Sequence, residues 1–288
     1  MTTRLTVTVL TENAPTEGLL SEHGLAIHLR YKQARRTTTL LLDFGQTDAF
    51  AHNATTLGID LSAVDLAVLS HAHYDHADGM PAFFAANGRA PLYLSEACGE
   101  DCWSTKAGTT EPHYIGIGHG LLARYAGRLA RVATGTVTTI AQGVHLVPHT
   151  TPGLAEVGER AGMLRASGKA LLADDFAHEV SLVLELAPSH DGTPRLAVFN
   201  SCSHAGLPVI LAEVQRAFPD AHVYAYVGGL HLVHASNEQV LQVAEAVSTA
   251  GVERLCTGHC TGEPAFDQLQ SALPGRIHDL HPGKILLL

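Results

Sequence analysis

Four side chains of metal-ligand type fall within six positions of this chain: His71, His73, Asp75 and His76. They follow directly on a short apolar run, Leu66 to Leu69, that reads as a buried strand leaving its sheet at Ser70. In an extended exit segment side chains alternate from face to face, so His71 and His73 project to one side and two imidazoles can grip one ion. Asp75 and His76 lie one step further along and can reach a second. Imidazole and carboxylate donors suit Zn, and also Fe or Mn. The competing reading is a surface loop that happens to be rich in histidine, and four ligand types directly after an apolar strand weigh against it.

Such a loop needs elements to position it. Leu5–Leu10, Leu25–Leu29 and Thr38–Leu42 read as strands, and Thr47 could cap a helix running to about Leu57. Met80–Ala86 suggests a helix, Leu92–Leu94 a strand and Leu121–Leu129 a helix. The segment from Cys98 to about Gly120 is rich in Gly, Thr and Pro, and reads as a long loop over the site. Further on, strands are expected at Val137–Ile140, His145–Val147, Ala170–Leu172, Ser181–Leu186, Leu196–Phe199, Val223–Val227 and Val252–Cys256. Helices are expected at Val209–Ala217, from Ser236 to about Thr249 behind a Ser236/Gln239 capping box, and from Pro264 to about Ala272. Strand clusters followed by helices in both parts predict two sheets packed face to face with helices outside: an α/β (α+β) fold of four layers, αββα. A single domain over 1–288, built of two similar halves of about 1–130 and 131–288, is the expected organisation.

Composition narrows the function. Of 288 residues 46% are hydrophobic and 16% charged, which is the make-up of a globular chain. A net charge of −10 without a Lys/Arg-rich run argues against nucleic acid as partner. No apolar stretch is long enough to span a bilayer, so no membrane association is expected. No export signal is evident, and five cysteines are an odd count for a disulfide framework; a cytoplasmic location follows as the expectation. The sequence leaves the oligomeric state open.

The motif H-x-H-x-D-H after a strand resembles the metallo-β-lactamase superfamily. Leu41 to Gly45 resembles that family's strand ending in Asp. Asn200 to Gly206, Glu22 to Gly24, Gly228 to His231 and His259 to Gly262 resemble its branch of dihydropterin–ribofuranosylaminobenzene phosphate synthases. The resemblance implies an αββα sandwich with two metal ions at the sheet edge. It implies His71, His73 and His204 as ligands of the first ion, Asp75, His76 and His259 as ligands of the second, and Asp43 as an outer partner orienting an imidazole. Members carry an Asp between the metals, and the corresponding stretch here offers His231 instead. His231 is thus a candidate to bridge or to contact substrate, and Asp75 and His231 are the candidate catalytic residues. Cys202 and Cys260 adjoin ligands and are candidates for the outer shell, with simple burial as the alternative. His23 and Glu22 could line the site.

Six of the 19 histidines carry the ligand and bridging roles, which leaves 13, His23 among them. His113 and His119 sit in the long loop and could meet substrate. His178 and Glu179 follow Asp174 and Asp175 and could support the ligands from an outer shell, with a solvated turn as the favoured reading. Lys106, Arg124, Arg128 and Arg131 could clamp a phosphate, although the spacing of the three arginines more often marks a solvated helix face. Two Cys-x-x-x-Cys pairs, Cys98/Cys102 and Cys256/Cys260, invite a four-cysteine zinc site, against which His259 already has a stronger assignment.

Two divalent ions bring +4, Asp75 subtracts one, and a hydroxide would leave about +2, since metal-bound water ionises near neutral pH. Such a centre favours anions. The expected function is a metal-dependent hydrolase acting on an anionic, phosphorylated small molecule through a metal-bound hydroxide. The alternatives are a pterin-type transferase condensing a dihydropterin pyrophosphate with ribofuranosylaminobenzene phosphate, and a non-enzymatic metal or redox sensor.

Overall fold

A computed structural model describes residues 3–105 and 111–288. Its core divides into three clusters, and the division defines the layers. Leu5, Val7, Ile27 and Leu29 from one sheet meet Leu182, Leu184, Phe199 and Val227 from another. On the far face of the first sheet Leu41, Ala67 and Leu69 pack on Phe50, Met80 and Phe83 of helices Ala49–Thr56 and Met80–Ala86. On the far face of the second sheet Val183, Val198 and Leu255 pack on helices Leu207–Ala217, Asn237–Thr249 and Glu263–Ala272. The order helix, sheet, sheet, helix is the expected αββα sandwich. Strands buried on both faces read as near-continuous apolar runs, which is why Leu40 to Leu42 and Leu182 to Leu184 show no polar alternation. Each such side chain contributes about 1.5–3 kcal/mol on burial.

The first sheet runs, in spatial order, Ile285–Leu287, Thr3–Thr11, Ala26–Gln33, Arg36–Leu42, Leu66–Val68, Leu92–Ser95, Leu129–Val132. The second runs Ile277–Asp279, Arg254–Thr257, His222–Val227, Arg195–Phe199, Val180–Leu186, Val144–Pro148, Thr138–Ala141. The C-terminal strand Ile285–Leu287 therefore completes the sheet begun by the N-terminus. Within each sheet four consecutive strands are parallel. Their carboxyl ends are where an open sheet offers a ligand-binding crevice.

The long-loop expectation for Cys98 to Gly120 is corrected. Cys102–Thr105 and Pro112–Tyr114 are strands, and with Met163–Ser167 and Ala170–Ala173 they form a third, four-stranded sheet. Pro112–Tyr114 pairs with Cys102–Thr105 close by, but the strand that ties the pair into a sheet, Met163–Ser167, lies about sixty residues downstream, so local composition could not reveal it. Lys106 falls outside the described residues. The helix expected over Leu121–Leu129 shortens to Leu121–Arg124, a 3-10 turn and the strand Leu129–Val132. The Ser236/Gln239 capping box and the early Pro264 are present as read. Among the described residues no helix is long and apolar enough to cross a membrane.

Candidate metal centre

The residues singled out by sequence meet at the carboxyl ends of the parallel strands. Asp43 follows Leu42, His71 follows Val68 by three, Cys202 and His204 follow Phe199, His231 follows Val227, and His259 follows Thr257. Asp43, Ser203, His231 and His259 take positive φ values of 60°, 57°, 50° and 51°, a region that costs a non-glycine residue on the order of 1–3 kcal/mol. Backbone strain is thus collected at the strand ends that turn these side chains inward. Gly228 is needed for close approach: a Cβ there would overlap the Asn200 carbonyl oxygen.

The rings of His71, His73 and His204 stand 4.7–4.9 Å apart, centroid to centroid. Nε2 of His71, Nε2 of His73 and both nitrogens of His204 are buried without a hydrogen-bond partner. Orphaned buried nitrogens cost free energy unless something binds them. Burial, reinforced by the neighbouring imidazoles, holds His71 and His204 well below the usual histidine range and His73 at about 3. All three are therefore neutral, with a lone pair to give. The Ser70 hydroxyl donates to Asp43 (2.7 Å), so it accepts from Nδ1 of His71 (2.7 Å), which leaves Nε2 of His71 as the donor atom for an ion.

His76 and His259 form the second group. Nδ1 of His76 donates to Asp43 Oδ2 (2.9 Å), and Nδ1 of His259 donates to the amide oxygen of Asn13 (2.8 Å). Both rings are thereby fixed with Nε2 as the acceptor nitrogen, and these two atoms face each other at 3.1 Å. Asp75 Oδ2 lies 3.4 Å from each. Two lone pairs so disposed repel unless a cation separates them, and in the absence of metal a proton takes that place. Burial disfavours protonation of His76, but Asp75 and Asp43 outweigh it and push His76 up to about 10. Burial likewise opposes ionisation of Asp75, and the adjacent His76 and His259 overcome it, holding the carboxyl well below its ordinary value. Orphaned nitrogens in one group and opposed lone pairs in the other fit divalent cations. In His71, His76 and His259 the second ring nitrogen is occupied by an oxygen partner, as is usual for metal-bound histidines.

Cys202 lies between the groups. Its Sγ is 3.2 Å from Nε2 of His76. Cys260 Sγ accepts the amide of His231 (3.3 Å) and contacts the Cys202 carbonyl. The His231 ring is 4.5 Å from that of His204, and its buried Nδ1 has no partner. His23 reaches Asp75 with Nε2 (3.3 Å) and remains half exposed. Glu22 faces elsewhere, accepting the amides of Gln46 and Thr47 (3.0 and 3.3 Å) and so anchoring the turn after Asp43.

Several expectations change. His178 and Glu179 are fully buried rather than in a solvated turn. His178 pairs with Asp174 (3.0 Å) and accepts the Ala72 amide (3.2 Å), which holds the histidine loop. Glu179 accepts the amides of His204 and Ala205 (2.8 and 2.9 Å). The arginines do not clamp a phosphate. Arg128 donates to the carbonyls of Asn87 and Ala90, Arg131 to those of Glu96 and Cys98, and Arg124 lies over Tyr125. Among the described residues no group of ligand atoms joins the two Cys-x-x-x-Cys pairs; Cys102 instead lies with His73, Asp174 and His178. Glu12, whose carboxylate accepts the His259 amide, and Asn13 carry no sequence signal beyond their type, because their partners are some 246 residues away.

The centre forms the floor of a cavity of about 1110 Å³, whose walls include His23, Tyr74, His113, Arg160, Phe176 and His234. His113 thus reaches the cavity, whereas His119 lies exposed against Tyr114.

Fold and centre together define a protein of the metallo-β-lactamase fold, as the sequence resemblance implied. No protein-family model matches the chain. It is 24% identical, over 92% of its length and 90% of the relative's, to the 7,8-dihydropterin-6-methyl-4-(β-D-ribofuranosyl)-aminobenzene-5'-phosphate synthase of Methanocaldococcus jannaschii. Among solved structures it is similar to a metal-dependent hydrolase of the β-lactamase superfamily, with 26% identity, 98% of each chain covered and a TM-score of 0.77. It also shares its fold with a diphosphatase of the PhnP family, at 16% identity, coverage of 99% of this chain and 97% of that one, and a TM-score of 0.54. These proteins are hydrolases and a synthase, which supports an enzyme here without deciding between hydrolysis and transfer.

Proposed function

We propose that this chain is a metal-dependent hydrolase of an anionic, phosphorylated small molecule, holding two divalent ions, of which zinc best suits the donor set. The observation that carries the reading is the convergence of unpartnered or mutually opposed histidine nitrogens, with Asp75, on the floor of a large cavity. His71, His73 and His204 would hold one ion and Asp75, His76 and His259 the other. Bound ions would supply Lewis acidity toward a phosphoryl oxygen and lower the pKa of water.

The chain's own side chains do the rest. Asp43 orients His76 directly and His71 through Ser70. Asn13 and Glu12 hold His259 by its ring and its amide. His231, with a free Nδ1 beside His204, can exchange a proton with bound substrate. Arg160 in the cavity wall supplies a fixed positive charge for an anionic group away from the centre. Apolar walls at Phe176, Leu207 and Leu230 exclude water from the organic part.

Metal analysis of the purified protein, coupled to a screen of diphosphates, phosphodiesters, neutral lactones and pterin pyrophosphates, tests the reading. Two ions per chain and preferential hydrolysis of the phosphorylated compounds are expected. Equal turnover of lactones and phosphodiesters, or activity without metal, would refute it. The end-to-end similarity to a synthase favours one second reading, transfer of a pterin from its pyrophosphate to an organic nucleophile. Pyrophosphate release that depends on an added aromatic acceptor would select it.

A further inference from the structure

The two ligand groups leave one requirement unmet. Two dications a few ångströms apart repel strongly, and a shared anionic ligand is the usual remedy. Asp75 Oδ2 sits against His76 and His259, and among the described residues no group of converging ligand atoms joins it to His71 and His204. His231 belongs to none of the groups of converging ligand atoms. Asp43 is consumed by Ser70 and His76 Nδ1, on the outer side of the rings.

One side chain is common to both sides. The Sγ of Cys202 lies within 4.8 Å of ligand nitrogens of His71 and His204, and equally within 4.8 Å of those of His76 and His259. It is buried at the cavity floor, and it is held in place by the turn that carries it. Asn200 Oδ1 accepts the Ser203 amide (2.7 Å), and the Ser203 hydroxyl donates to the Gly229 carbonyl (2.6 Å).

We infer that Cys202 is a direct ligand whose thiolate bridges the two ions, an inference that rests on the two-metal reading above. Sulfur has lone pairs for two bonds, and its longer reach, about 2.3 Å to zinc against 2.0–2.1 Å for nitrogen, suits a position between two nitrogen sets. On loading, the Cys202 S–H bond breaks, its proton goes to solvent, and the sulfur electron pairs pass to the two ions; nothing is oxidised or reduced. The thiolate also revises the charge of the centre. Four positive charges less Asp75, Cys202 and a hydroxide leave about +1 rather than about +2. A monoanionic phosphodiester then neutralises the centre, whereas a dianionic monoester overcharges it.

X-ray absorption of the zinc-loaded protein tests this on the unmodified chain. A bridging thiolate gives one sulfur per zinc at about 2.3 Å. Half a sulfur per zinc would mean a terminal ligand, and none an outer thiol; either overturns the inference while leaving a two-zinc hydrolase standing. A protein that binds no zinc overturns both. Cobalt loading gives an independent check. The thiolate-to-cobalt charge-transfer band should vanish in Cys202→Asp, which retains both ions through a carboxylate bridge, and in Cys202→Ser, which loses at least one. The band should persist in Cys260→Ala; its loss there and survival in Cys202→Asp would assign the sulfur elsewhere.

Discussion

Two buried histidine–carboxylate pairs, one in each sheet's half of the sandwich, have the same local chemistry and different fates. His76 pairs with Asp43 at 2.9 Å, and His149 with Glu213 at 2.6 Å; all four side chains are nearly inaccessible. Each imidazole offers its other nitrogen to the interior. For His149 that nitrogen meets the Ser181 hydroxyl (2.9 Å) and the Asn200 amide (3.3 Å), so the ring is satisfied and serves packing. For His76 it meets another histidine's lone pair, a carboxylate and a thiol, which only a cation can reconcile. A buried His–carboxylate pair therefore says nothing about metal by itself; the partner of the second nitrogen decides.

The largest expected contrast comes from removing the rings. His76→Ala should lose an ion and cut activity by more than the 10–100-fold typical of losing an outer partner, and it too should cost the metal-free protein about 3–5 kcal/mol, because buried Asp43 loses its partner. His149→Ala should keep both ions and lose about 3–5 kcal/mol of stability in urea unfolding, because Glu213 is left buried and unpaired. Metal loss in His149→Ala would erase the distinction. Next in size, Asp43→Asn should weaken metal binding by about 10–100-fold in chelator competition. Glu213→Gln should leave metal affinity unchanged and cost about 1–3 kcal/mol.

The pairs also differ in acid. Burial opposes ionisation of Glu213, but hydrogen bonds from His149 and the Thr150–Thr151 turn bring it from 4.5 down to about 2. A depressed folded pKa stabilises above the unfolded value, so this contribution is complete above about pH 4.5 and fades toward pH 2. Glu213→Gln should flatten that limb in acid titration of the metal-free protein. The smallest effect is at His28, buried without a carboxylate partner among the described residues. Burial, with Arg30 adding to it, lowers His28 from 6.5 to about 4. Stability from this group is present above pH 6.5 and lost as pH falls toward 4, and His28→Leu should remove that slope.

The motif from His71 to His76 was legible because its spacing is itself chemistry: a strand exit with period two sets two imidazoles side by side, and they do stand together. His204 and His259 were legible through the order of motifs in a resembling family. His149, Glu12 and Asn13 were not, and for His178 and Glu179 a solvated turn was favoured over an outer-shell place, since a buried polar residue in sequence looks like an exposed one until its partner arrives. Cys202 was read as an outer neighbour of His204, and its place between two nitrogen sets emerges when the sheets close.

By itself, then, the sequence determined the apolar runs that must be strands, the capped helices and a first cluster of ligand types, because these depend on residues a few positions apart. The tertiary structure alone decided which distant side chains complete the centre. His76 and His259 are 183 residues apart and face each other at 3.1 Å because parallel strands of two sheets end at one edge. That convergence is fixed by burial of the inter-sheet core, a non-directional force summed over the whole chain, and no local pattern encodes it.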